Sequence, residues 1–185
     1  DACGSATVTC SQGSIQSPST CGRSRTITWT ATDGCNNTST CSATWTWIQD
    51  TTPPVLNNCP TGSDLGCNPT VPTCANVTAP TATDACGSAT VTCSQGSIQS
   101  PSTCGRSRTI TWTATDGCNN TSTCSATWTW TEDTTPPVLN NCPTGSDLGC
   151  NPTVPTCANV TAPTPTDACG SATVTCSQGS VQSPS

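Results

Sequence analysis

The 185-residue sequence contains no histidine, lysine, methionine, phenylalanine or tyrosine, and only 8% of its residues are charged. General acid or base catalysis needs a side chain that titrates near neutral pH, and histidine, lysine and tyrosine are common choices. The carboxylates that remain are scattered singly along the chain, for example Asp84, Asp116 and Asp147. We therefore expect a protein that is not an enzyme.

Positive charge is confined to four arginines, against ten acidic residues, and the formal net charge is -6. Binding to a nucleic acid backbone requires several basic side chains to neutralise the phosphates, so nucleic acid is excluded as a partner. The sequence also lacks any apolar run approaching the roughly 18 residues that a membrane-spanning helix requires. We expect no membrane insertion of this segment.

Cysteine, in contrast, is abundant, with 18 residues in the chain. Thiols at this density indicate an oxidising compartment, so we expect an extracellular protein, either secreted or at the cell surface. The sequence has neither a CxxC motif nor a histidine, which favours disulfides over zinc sites. We expect no metal or other cofactor. Calcium near Asp50 or Asp133 is the alternative, and a solvated linker acid is the favoured interpretation.

The sequence repeats in tandem with an 83-residue period, and the segment DACGSATVTCSQGS begins at Asp1, at Asp84 and at Asp167. This period is too long for one coil of a solenoid and fits one small β-domain. The motif DTTPPV occurs twice, and its paired prolines end a strand and make a stiff, extended connector. We place the domain boundaries there. Residues 1–49 are the C-terminal part of one repeat, 50–132 are one complete repeat, and 133–185 are the N-terminal part of the next.

Each repeat is predicted to be a small β-sandwich. In Thr109 to Thr115 and in Thr123 to Thr131, threonine alternates with apolar residues, a period typical of half-buried strands. Turn residues between the two segments predict a hairpin, and Ser88 to Cys93 predicts a third strand. Short strands without helical periodicity indicate an all-β, immunoglobulin-like sandwich of about seven strands. The expected core residues are Ile110, Trp112, Trp128 and Trp130.

The apolar residues of one repeat are few for its length, so crosslinks are needed to stabilise it. The complete repeat offers eight cysteines as disulfide candidates: Cys59, Cys67, Cys74, Cys86, Cys93, Cys104, Cys118 and Cys124. Eight cysteines allow 105 pairings, and the sequence does not select one. As a working hypothesis, Cys59 pairs with Cys67 and Cys118 with Cys124, because each pair closes a short loop around a turn.

The order DTTPPV, CP, ATDAC, VTC, ITWTATDGCNNTSTC and a final tryptophan resembles the HYR-like, immunoglobulin-like repeats of very large bacterial cell-surface proteins. These include the SprB-type adhesins of gliding Bacteroidetes. The resemblance covers a whole repeat, and its most specific part is the TATDGCNNTSTC hairpin followed by DTTPP. It implies strands of a β-sandwich and an array that forms a stalk. Near-identity of the copies and eight cysteines per repeat exceed what is usual in the family.

Two kinds of glycosylation signal are present. The Asp-Thr-Thr triplets match an O-glycosylation signal used in Bacteroidetes, which makes Thr51, Thr52, Thr134 and Thr135 candidates. Bare hydroxyls on a β-surface are the equally weighted alternative. The N-x-Ser/Thr sequons, which arise often by chance in a threonine-rich chain, are at Asn36, Asn37, Asn76, Asn119, Asn120 and Asn159.

The sequence therefore favours a structural function, as a glycosylated, disulfide-stabilised repeat segment of a long extracellular filament or adhesin stalk. Its expected partners are neighbouring repeats of the same polymer. The main alternative is a threonine-rich β-surface that binds carbohydrate or ice, because rows of Thr-x-Thr lie on two neighbouring strands. A small disulfide-rich inhibitor or toxin fits the cysteine content but not the tandem copying.

The repeat length predicts a measurable axial spacing. Strands of five to eight residues plus a linker, at ~3.3 Å per residue, give roughly 30 to 45 Å per repeat. Electron microscopy of assembled material should show this spacing. A much shorter coil spacing, or no periodicity, would refute the arrangement of domains in line.

Overall fold

The computed structural model describes residues 4–182, and β-strand is the only regular secondary structure in that range. Strand and isolated-bridge residues account for 41% of these described residues. The predicted all-β, disulfide-rich fold class is confirmed. The strands are β1 (Thr7–Gln12), β2 (Gly22–Thr32), β3 (Thr38–Ile48), β4 (Val55–Asn57), β5 (Asp64–Cys67), β6 (Thr81–Thr83), β7 (Thr90–Gln95), β8 (Gly105–Thr115), β9 (Thr121–Thr131), β10 (Val138–Asn140) and β11 (Thr164–Thr166).

Residues 4–49 form a three-stranded antiparallel sheet in the order β1-β2-β3. The register of β2 and β3 runs from Gly22 opposite Ile48 to Thr32 opposite Thr38, without a bulge. Strict alternation of threonine with larger residues explains this regular pairing, since each strand then presents one polar and one apolar face. Asn36, in the turn, has a φ of 64°, which asparagine tolerates better than most residues.

Residues 50–132 contribute a four-stranded sheet in the order β5-β9-β8-β7 and a two-stranded sheet of β4 and β6. The predicted hairpin is confirmed as β8 and β9, each 11 residues long, and the predicted third strand is β7. The short strand β5 runs parallel to β9, with Asp64 opposite Thr129 and Cys67 opposite Thr131. The proline-rich segment thus adds a parallel edge strand that the hydrophobic alternation did not predict. Together β4 to β9 make six strands, where the sequence predicted about seven.

The core lies along β8 and β9, where burial alternates residue by residue. Ile110 and Trp112 are completely buried, and Trp128 and Trp130 are 7% and 4% exposed. All four expected core residues are therefore in the core. Thr127 and Thr129, which alternate with these tryptophans in β9, are exposed. Threonine thus forms the outer face and tryptophan the inner face of the sheet.

The same residues are less well covered in β3. Trp45, which corresponds to Trp128, is 48% exposed, and Trp47 is 38% exposed. Residues 1–49 contain no counterpart of residues 50–83, the segment that includes β4 to β6 in the complete repeat. The sheet β1-β2-β3 is thus a half sandwich with an open apolar face.

The chain divides into two compact units. One contains the chain as far as Thr61, with Thr73–Gln95 and Ile110–Ala126, and the other contains Gly62–Pro72, Gly96–Thr109 and the chain from Thr127 onward. Each of the five disulfides lies within one of these units. Residues 4–182 include no helix of the length and apolarity needed to cross a membrane.

Gly62 and its counterpart Gly145 provide a matched test of the packing between β9 and the segment that precedes β5. A Cβ atom on Gly62 would overlap the backbone of Thr127, whereas one on Gly145 would meet no atom within 4 Å. Because a backbone contact cannot be relieved by a rotamer change, Gly62→Ala should destabilise the protein by about 1–3 kcal/mol. Gly145→Ala should stay within about 0.5 kcal/mol of the parent.

Chemical denaturation followed by tryptophan fluorescence measures both variants, because the tryptophans of β9 lie next to the site. Equal midpoints for Gly62→Ala and Gly145→Ala would contradict the close approach of the two backbones.

Candidate functional site

The most distinctive feature of the structure is a disulfide that crosses the predicted boundary between two copies of the repeat. Cys21, directly before β2, bonds to Cys86, which lies beyond the paired prolines, and their Cα atoms are 5.6 Å apart. Cys104 bonds to Cys169 in the same way, with the Cα atoms 5.5 Å apart. Both bonds span 65 residues. Since the second pair lies one full period after the first, one crosslink recurs at each predicted repeat boundary.

Hydrogen bonds attach the proline linker to the complete repeat at the first boundary. The side-chain amide of Asn120 donates to the backbone oxygen of Asp50 at 3.2 Å. The hydroxyl of Ser122 donates to the backbone oxygen of Pro54 at 2.6 Å. Proline has no amide hydrogen, so side-chain donors from the hairpin supply contacts that a β-ladder would otherwise make.

At the second boundary the linker is held by Asn68. Its side-chain amide donates to the backbone oxygen of Asp133 at 2.6 Å, and its side-chain oxygen accepts from the Asp133 amide at 2.9 Å. Asn68 has a φ of 47°, a left-handed conformation in which asparagine is tolerated. This pair of bonds fixes the backbone of the linker where it leaves β9.

Two further disulfides stabilise the complete repeat. Cys59, after β4, bonds to Cys124 in β9, and Cys74 bonds to Cys93 in β7. Cys157 and Cys176 repeat the second of these bonds one copy later. The boundary and internal bonds together use six of the eight cysteine candidates of the complete repeat.

The predicted pairs Cys59 with Cys67 and Cys118 with Cys124 are wrong. Cys124 has the same parity as Trp128 and Trp130, so it faces inward, whereas Cys118 lies in the turn before β9. An inward cysteine can reach the segment after β4 but not its neighbour in the turn. The alternation of inward and outward side chains in β9 was readable from the sequence and would have excluded the pair Cys118 with Cys124. For choosing disulfide partners, closeness along the chain was a weaker criterion than this alternation.

Cys67 and Cys118 are free and exposed. The other free cysteines among the described residues are also exposed: Cys10, Cys35, Cys41, Cys142 and Cys150.

Acidic side chains collect at both boundaries. Asp50, Asp84 and Cys86 place their ligand atoms within 4.8 Å of one another, and Asp133, Asp167 and Cys169 do the same one copy later. The sulfur atoms of both clusters belong to disulfides, so neither cluster offers a thiolate. Calcium takes six to eight oxygen ligands, and two carboxylates supply only part of that set. A solvated linker acid therefore remains our interpretation, and the expectation of no metal remains a prediction.

Asp116 organises the turn between β8 and β9 and is only 8% exposed. One carboxylate oxygen accepts from the amides of Cys118 and Asn120, and the other accepts from the Asn120 side chain, all at 2.8 Å. Burial acts most strongly and raises the pKa of Asp116, but the hydrogen bonds from Asn120 and Cys118, together with one involving Asp50, outweigh it, so the pKa is lowered. The Asn120 side chain thus connects this turn to the Asp50 linker.

Asp33 occupies the equivalent turn between β2 and β3. The Asn37 side chain, the Asn37 amide and the Cys35 amide all donate to its carboxylate. The pKa of Asp33 is lowered chiefly by the Asn37 side chain. The turn chemistry is therefore the same in both copies.

The candidate O-glycosylation sites lie on the linkers. Thr51, Thr52, Thr134 and Thr135 are all exposed. The Asp50 carboxylate accepts from the Thr52 amide at 3.0 Å, which fixes the backbone and leaves the threonine side chains directed to the surface of the linker. Access for a glycosyltransferase is therefore available at both boundaries.

The asparagine candidates differ in how their side chains are used. Asn120 donates both hydrogens of its amide nitrogen, to Asp116 and to the Asp50 backbone, so a sugar on that nitrogen would remove one of these contacts. Asn37 donates once, to Asp33. Asn76 and Asn159 accept from Thr73 and Thr156 through their side-chain oxygen. Asn36 and Asn119 lie exposed in the turns and have a left-handed backbone.

Threonine rows cover the outer face of both hairpins, as the ice or carbohydrate alternative requires. Some of these hydroxyls bind each other across the strands: Thr26 and Thr44 are 2.8 Å apart, and Thr109 and Thr127 are 2.7 Å apart. Hydroxyls that are paired within the sheet are less available to an external ligand. One hydroxyl pair in each hairpin is therefore engaged within the sheet.

No protein-family model and no curated protein matches the chain. Among solved structures, the crystal structure of a protocadherin gamma B4 extracellular domain is similar over 74% of this chain, with 13% sequence identity and a TM-score of 0.33. The matched part is 30% of that chain's length.

The Asp116 turn leads to a pH prediction. Its pKa in the folded state is lowered from 3.8, so the carboxylate stabilises the fold above that pH, and this contribution is lost as the pH falls through the folded pKa. The parent protein should lose stability as the pH falls below about 4, to a greater extent than Asp116→Asn.

Denaturation midpoints at pH 7 and pH 3 provide the measurement. Asp116→Asn should be less stable than the parent at pH 7, with a smaller difference at pH 3, and Asp33→Asn should change in the same direction. An unchanged gap between parent and variant at the two pH values would argue against a stabilising carboxylate in this turn.

Proposed function

We propose that this chain is a structural segment of a long extracellular filament or adhesin stalk, whose consecutive repeats are joined by disulfides as well as by the backbone. The observation that supports this most directly is the pair of boundary-spanning bonds, Cys21 to Cys86 and Cys104 to Cys169. An isolated binding domain does not need a crosslink to its neighbour. A stalk under tension does need one, because the crosslink carries load between domains.

The positions of these bonds define a short path for force. A pull that reaches Cys86 through the first disulfide leaves through Cys104, only 18 residues later, and crosses the second disulfide to Cys169. The other 65 residues of each 83-residue period lie between bonded cysteines and are shielded from the load. In the complete repeat, β7 lies on the loaded stretch, and the other strands, β4 to β6, β8 and β9, are protected by the covalent bonds.

The other features fit the same function. Five disulfides indicate an oxidising compartment, which supports an extracellular location. The partners in this proposal are neighbouring repeats, the protein is not an enzyme, and sugars on the linker threonines would shield the boundaries from proteases. The resemblance to HYR-like repeats supports a bacterial cell-surface stalk.

Single-molecule pulling of the oxidised and reduced chain tests the proposal. At ~3.6 Å per extended residue, each oxidised period should stop at roughly 65 Å, and each reduced period at roughly 300 Å. The expected difference is therefore roughly four- to fivefold per repeat.

The control for this experiment is the double variant Cys59→Ser with Cys124→Ser, which removes a disulfide inside the complete repeat. Because that bond is not on the short path, the maximum extension of the oxidised variant should equal that of the parent. An oxidised parent chain that extends as far as the reduced one would eliminate the load-bearing function.

A further inference from the structure

We propose that each repeat boundary carries a second disulfide, between Cys67 of one repeat and the copy of Cys118 in the repeat that follows. The inference rests on the proposed function, because it requires repeats that follow one another in an array. It accounts for the two cysteines of the complete repeat that form no bond in the described chain.

The cavities at the two boundaries provide the first argument. The cavity at the first boundary is lined by Asp50, Asp84 and Cys86. The cavity at the second is lined by Asp133, Asp167 and Cys169, which are the same three residues one full period later. The two cavities are therefore copies of one site.

The remaining wall of each cavity provides the second argument. Cys118, from the repeat that follows the boundary, lines the first cavity. Cys67, from the repeat that precedes the boundary, lines the second. Because the two cavities share equivalent lining residues, a boundary with a full repeat on each side would have both cysteines in its lining.

The sequence explains why neither boundary shows both cysteines. The partner of Cys67 would lie one full period after Cys118, and the partner of Cys118 would lie one full period before Cys67. Both positions are outside the 185 residues. A boundary with a full repeat on each side would contain the complete pair.

A bond between Cys67 and Cys118 of the same repeat is the competing assignment. The cavities argue against it, because Cys67 lines the cavity that follows β9 and Cys118 lines the cavity that precedes β4. These are the two boundaries of a single repeat. Pairing across a boundary requires no rearrangement, because Cys67 and Cys118 each already line a boundary cavity.

The bond forms by thiol–disulfide exchange. A thiolate at Cys67 attacks the disulfide of an oxidised protein of the thiol-oxidase class and forms a mixed disulfide. The thiolate of the Cys118 copy then attacks the Cys67 sulfur and displaces the oxidant's thiolate. One sulfur–sulfur bond forms in the chain, and the oxidant is reduced to two thiols, which take up the two protons. Both cysteines are exposed, so a protein oxidant has access to them.

Thiol labelling tests the pairing in a chain prolonged by an appended copy of Thr103–Ser185, which supplies the missing cysteine. After secretion into an oxidising compartment, free thiols are alkylated and the protein is cleaved before aspartates. The peptide Asp64–Thr83 carries Cys67 and differs from its counterpart in the next repeat by Ala82 in place of Pro165. Mass spectrometry therefore distinguishes Cys67 from its counterpart Cys150, and fragmentation of the peptide separates Cys67 from Cys74, which is bonded to Cys93.

We expect Cys67 to be alkylated in the 185-residue chain and protected in the prolonged chain. Changing the appended copy of Cys118 to serine should restore alkylation of Cys67. The matched control is Cys118→Ser in the middle repeat, which should leave Cys67 protected. Alkylation of Cys67 in the prolonged chain, or its exposure by the control substitution, would overturn the proposal.

The same digest separates this inference from the proposed function. Alkylation at Cys104 and Cys169 would show that the boundary disulfide between them is missing and that the load-bearing function fails. Alkylation at Cys67 alone would leave that function intact and remove only the second crosslink.

Discussion

Sulfur crosslinks between strands and between repeats are the constraint on which the rest of this structure depends. The fully buried large side chains are Trp112 and Ile110 alone among the described residues, which is a small core for a chain of this length. A disulfide closing a loop of 65 residues stabilises a fold by about 4 kcal/mol, mainly by restricting the unfolded chain. With this stabilisation, a sheet that has tryptophan on its inner face can keep a polar threonine face toward solvent. Without the crosslinks, much of the proline-rich segment would have few contacts to stabilise it.

Local patterns in the sequence predicted the hairpin well, because strand periodicity depends on neighbouring residues. The alternation around Trp112 and Trp128 specified both strands and their buried faces. A local pattern does not by itself decide whether a segment becomes a strand, as one repeated segment shows. The letters TVTCSQ form β1 and β7, but at residues 173–178 they form no strand. A strand needs a hydrogen-bonding partner, and only the first two copies of these letters lie next to one.

Disulfide pairing could not be predicted because it depends on contacts far apart in sequence. Cys59 and Cys124 meet only when the segment after β4 lies against β9. Cys21 and Cys86 meet only across a linker whose path is set by Asn120 and Ser122. The tandem period was evident in the sequence, but the fact that bonds spanning 65 residues bridge consecutive copies was not. Periodicity identifies equivalent residues without showing which of them touch.

The crosslinks also change what a break in the backbone would do. All four arginines, and the linker residues Asp50 and Asp133, lie between cysteines that are bonded to each other. A peptide bond hydrolysed beside any of them leaves the two fragments connected through sulfur. The backbone from Cys93 to Cys104 lies outside both pairs of boundary cysteines, but the bond from Cys59 to Cys124 bypasses it. This stretch also has no acidic or basic residue for a charge-selective protease to recognise. A single nick anywhere between Cys21 and Cys169 therefore leaves the chain in one piece.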